Sequence, residues 1–124
     1  MVDLSSVDMA GHAYGSYSSQ YLNQIERADK LIGQTIAWLE KKNYLKSSLV
    51  IVASDHGMKA IDHAYLLFEE EKIVPLIFYG AGVKKGIVVK SRPLIMDLAP
   101  TIAYALGVEY PEKMRARVLE EVLE

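Results

Sequence analysis

Leu49-Val50-Ile51-Val52-Ala53 contains no polar position, and it runs directly into Ser54-Asp55-His56-Gly57. Apolar residues that are continuous rather than alternating over this length predict a β-strand covered on both faces, the kind that belongs to a parallel sheet. The passage from apolar to ionisable residues is abrupt. A carboxylate and an imidazole leaving a buried strand together must either be solvated at a cleft or be neutralised by a partner. In open α/β sheets such groups collect beyond the carboxyl ends of the strands, where loops are free to carry chemistry. An α/β fold with a functional sheet edge is the first expectation.

The other segments extend this pattern. Val74 to Tyr79 predicts a second strand, with Pro75 near its start, where a missing amide donor does least harm, and Gly80-Ala81-Gly82 at its end. Ile87 to Val89 is expected to add a short third strand, and Val2 to Leu4 reads as the end of another. Ser5 to Ser16 is polar and glycine-rich and predicts a loop. After Ser18 or Ser19 as caps, apolar side chains recur at Tyr21, Leu22, Ile25, Ala28, Ile32, Ile36 and Leu39, which is helical spacing with one buried stripe. Gly33 within it suggests a close approach to the sheet, and Lys41-Lys42-Asn43 suits the helix end. Ile95 to Leu106 predicts a helix with Pro100 in or just before its first turn and Gly107 to terminate it. Pro111 opens a last helix with a stripe of Met114, Val118, Leu119, Val122 and Leu123. The expected order is β-α-β-β-β-α-α. Glu69-Glu70-Glu71 reads as a solvated turn or helix end rather than an acidic binding site.

A chain of 124 residues has room for a single core, so residues 1–124 are expected to form one domain. A net charge of -2 leaves no electrostatic footprint for nucleic acid or an anionic membrane surface. The apolar runs are too short to cross a bilayer. With no cysteine, disulfides and thiolate metal sites are excluded. The opening Met1-Val2-Asp3-Leu4 lacks the basic and apolar regions of a signal peptide, so a cytoplasmic location is expected.

Asp8 and His12, in the glycine-rich segment, and Asp55, His56 and His63 all map to the same predicted edge. Carboxylate and imidazole donors are those that zinc or manganese accepts, and five of them exceed what one tetrahedral ion needs, so two ions are implied. Paired ions about 4 Å apart hold the attacking and leaving oxygens of an in-line phosphoryl displacement. Plainer roles exist for each residue. Asp8 and His12 would serve to cap a loop, Asp55 and His56 to cap a helix with a surface histidine, and Asp62 either to orient His63 or to sit in solvent. Tyr14, Tyr17 and Tyr21 read as packing residues.

The segments Asp8-Met9-Ala10-Gly11-His12-Ala13-Tyr14-Gly15, Ile25 to Gly33 and Ser54-Asp55-His56-Gly57-Met58 resemble the alkaline phosphatase superfamily, most closely its type I phosphodiesterase/nucleotide pyrophosphatase branch. Val74 to Gly86 and Met96-Asp97-Leu98-Ala99-Pro100-Thr101-Ile102 resemble C-terminal segments of that branch. The resemblance implies a three-layer α/β/α fold with a mostly parallel sheet, in which Asp8, His12 and His63 hold one zinc while Asp55 and His56 help hold another. Family members carry an N-terminal strand with a further metal-binding aspartate, and a threonine or serine nucleophile, ahead of the segment that Asp8 resembles. Ser5 and Ser6 do not fit that nucleophile. The chain is therefore expected to correspond to a C-terminal portion, truncated at the N-terminus, with one zinc site incomplete and no catalytic nucleophile of its own. Two functions follow. One is a metal-dependent phosphodiesterase or phosphatase portion, acting on a small phosphoester once an N-terminal half is supplied. The other is a non-catalytic metal-binding remnant that self-associates as a homodimer through exposed sheet edges. A cofactor-independent phosphoglycerate mutase-like enzyme is a further alternative.

Overall fold

A computed structural model of the chain describes residues 1–63, 68–110, 113 and 115–124. Among these the elements run α1 (Ser6–Tyr14), α2 (Ser19–Lys41), β1 (Leu49–Ala53), α3 (Glu69–Lys72), β2 (Leu76–Gly80) and α4 (Leu98–Leu106). Single 3-10 turns occupy Leu45–Ser47, Ile95–Asp97 and Glu120–Val122. β1 and β2 pair in a two-stranded sheet. The chain is thus α/β, although two strands do not by themselves build the three-layer sandwich expected from the sequence. None of the described helices is long and apolar enough to cross a membrane. Two compact units are present, Met1–Lys46 with Val52–Ile77, and Ser47–Ile51 with Phe78–Glu124.

In the first unit, α2 forms where the periodicity places it. Ser18 is its N-cap, in extended backbone, and its Oγ accepts a hydrogen bond from Tyr21 N at 3.1 Å. One amide left over by the helix start is thereby satisfied. Tyr21, Ala28, Ile32, Ile36 and Leu39 form a half-buried stripe, while Leu22 and Ile25 stay exposed. The helix ends in a Schellman arrangement: Tyr44 N donates to Leu39 O at 2.8 Å and Asn43 N to Glu40 O at 2.9 Å, with Asn43 left-handed at φ 59°. The Trp38 and Tyr44 rings then meet edge-on, 5.7 Å apart, as the apolar contact that accompanies this turn. Gly33 does not lie against the sheet. It is exposed, and a Cβ there would meet nothing within 4 Å.

Two expectations at the N-terminus are corrected. Val2 to Leu4 has no strand geometry, and the glycine-rich segment expected to be a loop is largely the helix α1. Its propensity is poor, but Ala10 and Gly11 are buried and α1 packs on α2. Packing of a short helix outweighs intrinsic preference. The charges also suit a helix, with Asp8 in the first turn and His12 in the last.

The second unit is organised by Asp97, which is buried. Its Oδ2 accepts from Leu94 N at 2.9 Å and its Oδ1 from Arg117 N at 3.0 Å. Thr101, fully buried, donates to Asp97 O at 2.6 Å and accepts from Leu119 N at 3.0 Å. These bonds explain why the expected last helix is missing from the described part of its span. The amides of Arg117 and Leu119 are spent on Asp97 and Thr101 instead of an intrahelical ladder, and among the described residues of this span only the turn Glu120–Val122 is helical. Leu119, Val122 and Leu123 are buried nonetheless, whereas Pro111 and Met114 lie outside the described residues. Val83 and Leu123 form an antiparallel bridge, with Lys84 N donating to Val122 O and Glu124 N to Gly82 O, both at 3.0 Å. Ile87 to Val89 forms no strand, and Ile87 and Val88 are exposed. α4 ends as read, at a left-handed Gly107. Among the described residues neither strand is covered on both faces, since β1 is half-buried and β2 alternates with Ile77 and Tyr79 exposed.

Urea unfolding tests the caps and the exposed glycine of α2. Ser18→Ala is expected to cost about 1 kcal/mol, and Gly33→Ala to add up to about 1 kcal/mol because no neighbour obstructs the new methyl group. Acid titration tests the second unit. Arg117 holds the Glu121 carboxylate through bonds of 2.7 and 3.0 Å, and with the backbone and Ser91 lowers its pKa to about 2. A lowered folded-state pKa means stability that is complete above the unfolded value of 4.5 and lost as pH falls towards about 2. The pair is solvent-exposed, so the loss is expected to be at most about 1 kcal/mol, and Glu121→Gln should flatten that part of the profile.

Candidate metal centre

All five sequence-picked side chains lie in the first unit. Asp8 and His12, four residues apart, share one face of α1, and His12 Nε2 is 3.5 Å from Asp8 Oδ1. Asp55 and His56 follow immediately after β1. There Asp55 Oδ1 accepts from His56 N at 3.1 Å and Ser54 Oγ donates to His56 O at 2.7 Å, so the chain turns as soon as the strand ends. Gly57 comes next, with its amide donating to Glu71 O at 2.8 Å. A Cβ at Gly57 would run into the backbone carbonyl of Glu70, which only glycine avoids. A tight turn then closes between Lys59 and Asp62, each amide donating to the other's carbonyl at 3.1 and 3.2 Å. Ala60 occupies its first central position at φ 54°, a conformation that favours glycine. His63 follows, its amide donating to Asp62 Oδ1 at 2.7 Å.

These elements bring three imidazoles around one oxygen. His63 Nε2 lies 3.7 Å and His56 Nε2 4.0 Å from Asp8 Oδ1, the atom that His12 also approaches. The His56 and His63 rings stack 3.6 Å apart, and His12 Nε2 is 3.1 Å from His63 Nε2. Asp8 is 42% exposed as a side chain, yet its Oδ1 is sealed and has no hydrogen-bond partner among the described residues. His12 Nδ1 donates to Ile61 O at 2.8 Å and His56 Nδ1 to Gly57 O at 2.9 Å. A carbonyl brings no proton, so each of those rings carries its own on Nδ1, and in the neutral form the Nε2 lone pair faces Asp8.

Lone pairs facing a carboxylate oxygen repel it unless a proton or a metal cation lies between them. Bonds of about 2.0–2.1 Å to a tetrahedral zinc imply ligand-to-ligand edges of about 3.3 Å. The separations among Asp8, His12 and His63 are 3.5, 3.7 and 3.1 Å, so the donor set fits such an ion. His56 Nε2, 4.0 Å from the same oxygen, lies beside this set of three donors. Asp55 stands apart from this set. Its side chain is 86% exposed, and its Oδ2 is 3.7 Å from His56 Nε2.

Comparison with known proteins places the chain in a family. Residues 1–115 match the type I phosphodiesterase / nucleotide pyrophosphatase family. The chain belongs to that family. It is also 29% identical, over 98% of its length, to the N-acetylglucosamine-6-O-sulfatase of Bacteroides thetaiotaomicron, of which it covers 23%. Arylsulfatase K of Homo sapiens is 29% identical over 76% of this chain and 18% of the relative, and arylsulfatase K of Danio rerio 32% over 71% and 18%. The chain therefore spans about a fifth of the length of these curated relatives. No solved structure matches it. The type I phosphodiesterase/nucleotide pyrophosphatase family lies within the alkaline phosphatase superfamily, a group of metal-dependent hydrolases.

In this family member the ionisable residues were legible from the sequence, but the groups that aim them were not. The carbonyls of Ile61 and Gly57 belong to the backbone and leave no residue-type signal. Gly57 was visible only as part of Asp55-His56-Gly57, and its close approach to Glu70 depends on α3. Gly57→Ala is expected to lower the unfolding free energy by about 1–3 kcal/mol, because overpacking against a carbonyl has no side chain to relieve it. Urea unfolding measures this, and a loss no larger than that of an exposed-site control would contradict it.

Proposed function

We propose that residues 1–124 carry the metal-binding part of a phosphoester hydrolase, acting on phosphodiester or nucleotide pyrophosphate bonds. In this reading Asp8, His12 and His63 hold one dication, zinc in the first instance and manganese as the alternative, and Asp55 with His56 contributes to a second, incomplete site. What carries the assignment is the sealed, unpartnered Asp8 Oδ1 with three imidazole nitrogens within 4.0 Å of it. When bound, such an ion supplies Lewis-acid stabilisation of phosphoryl oxygens.

The protein's own groups do the positioning. The Ile61 and Gly57 carbonyls keep the protons of His12 and His56 on Nδ1, and stacking of His56 on His63 restricts both rings. The hydroxyl that attacks phosphorus is assigned to an N-terminal half, present in the same polypeptide or supplied as a partner. The chain spans about a fifth of the curated relatives it matches, so this assignment concerns a protein longer than these residues. Exposed Ile77 and Tyr79 on β2 support a competent form in which the sheet is covered, by that half or by a second copy. Sulfate-ester hydrolysis is the second reading, favoured by the sulfatase names of the relatives.

Metal analysis and hydrolysis assays test this together. Wild-type protein is expected to retain zinc, and Asp8→Ala or His12→Ala to weaken retention more than about 100-fold, beyond the loss typical of removing an outer-shell partner. Turnover of nitrophenyl phosphodiesters is expected only with the N-terminal half supplied. Preference for nitrophenyl sulfate would move the assignment to the sulfatase reading, and zinc retention unaffected by either alanine variant would sink the metal centre.

A further inference from the structure

Gly11 immediately precedes His12, and Met58 follows His56 by two positions. The two meet. A Cβ placed on Gly11 would fall on Met58 Sδ, 2.8 Å from its Cε and 3.2 Å from Tyr21 Cε2. Met58 is only 7% exposed, so its thioether fills a closed notch over the bare backbone of α1. An unbranched, polarisable side chain suits an irregular gap of this kind.

The stretch carrying Met58 is held from its other side as well. Gly57 abuts the Glu70 carbonyl, and Lys59 lies 3.8 Å above the Phe68 ring and 3.4 Å from Glu70 Oε1. Among the described residues, α1 and the residue just after it are also tied to this stretch by His12 Nδ1 donating to Ile61 O at 2.8 Å and Ser16 N donating to Ala60 O at 2.7 Å. Both grip residues 60 and 61, downstream of Met58. The Met58–Gly11 contact instead joins α1 beside His12 to the stretch two residues after His56.

We propose that Met58 is a positioning residue: seated on Gly11, it sets the separation between the Asp8/His12 couple on α1 and the Asp55/His56 couple after β1. The inference rests on the metal-centre reading and adds to it the element that fixes donor spacing. Shortening Met58 lets α1 settle out of register with His63. A methyl on Gly11 forces the thioether out of its seat.

The test uses cobalt(II) as an absorbance probe, and ring-to-ring cross-peaks among the chain's three histidines at fixed pH, in Met58→Ala, Met58→Leu, Gly11→Ala and the Gly11→Ala/Met58→Ala pair. Met58→Ala and Gly11→Ala are each expected to weaken cobalt binding about tenfold, the scale of losing an outer-shell support. Both should reduce His12–His63 cross-peaks and leave those of the stacked His56–His63 pair. Met58→Leu restores both signals. In the pair, the new methyl occupies the space vacated by the thioether, so the loss is smaller than the sum of the single losses. Unaltered ring contacts in both single variants, or losses that add fully, would overturn the proposal, whatever the effect on melting temperature. Ring contacts that move as stated in a wild-type background that takes up no cobalt support the positioning role while removing the metal centre, so the two failures are distinguishable.

Discussion

One sealed carboxylate oxygen, ringed by imidazole nitrogens at separations too long for hydrogen bonds, is the interaction on which the structure of the first unit turns. Such an atom has lost its water and gained no donor, and the desolvation of a charged group is among the largest single penalties a protein carries. A dication held by Asp8, His12 and His63, as proposed above, would remove that penalty and draw the nitrogens' lone pairs inward. The short helix α1, the turn after β1 and the stretch to His63 then become parts of one arrangement, each delivering a donor to the same place.

The fold was legible where local signals and tertiary packing agree. α2 has a cap at Ser18, a repeating stripe from Tyr21 to Leu39 and a left-handed Asn43, and each can be read from residue types alone. α1 was not legible, because Gly11 and the flanking serines and Gly15 carry the composition of a loop. What makes it helical is burial of Ala10 and Gly11 beneath residues distant in sequence. The last segment failed in the opposite sense. Its apolar spacing is helical, but Asp97 and Thr101 capture the amides of Arg117 and Leu119, and no local pattern announces such capture. β1 and β2 were read as strands covered on both faces. Their apolar content was read correctly, and the cover was not found among the described residues.

At the site, residue chemistry was visible and geometry was not. Aspartate and histidine in short motifs point to metal chemistry because few other functions gather them. Beside them lie contacts that sequence does not display: the carbonyls of Ile61 and Gly57 accept from two of the rings, and the thioether of Met58 sits on Gly11. The family match establishes the chemical lineage, and the sulfatases among the relatives show why it does not by itself separate phosphorus from sulfur. Both ester types present a tetrahedral centre with anionic oxygens, so ligand identity alone leaves the choice of atom to the remainder of the substrate pocket.

The turn from Lys59 to Asp62 has a final consequence. Its two reciprocal hydrogen bonds and the left-handed Ala60 leave no slack between the histidine at the end of the strand and the one that follows. Length is thereby frozen at this point of the chain. A residue inserted within this turn would break both bonds and swing His63 away from Asp8 instead of bulging harmlessly into solvent.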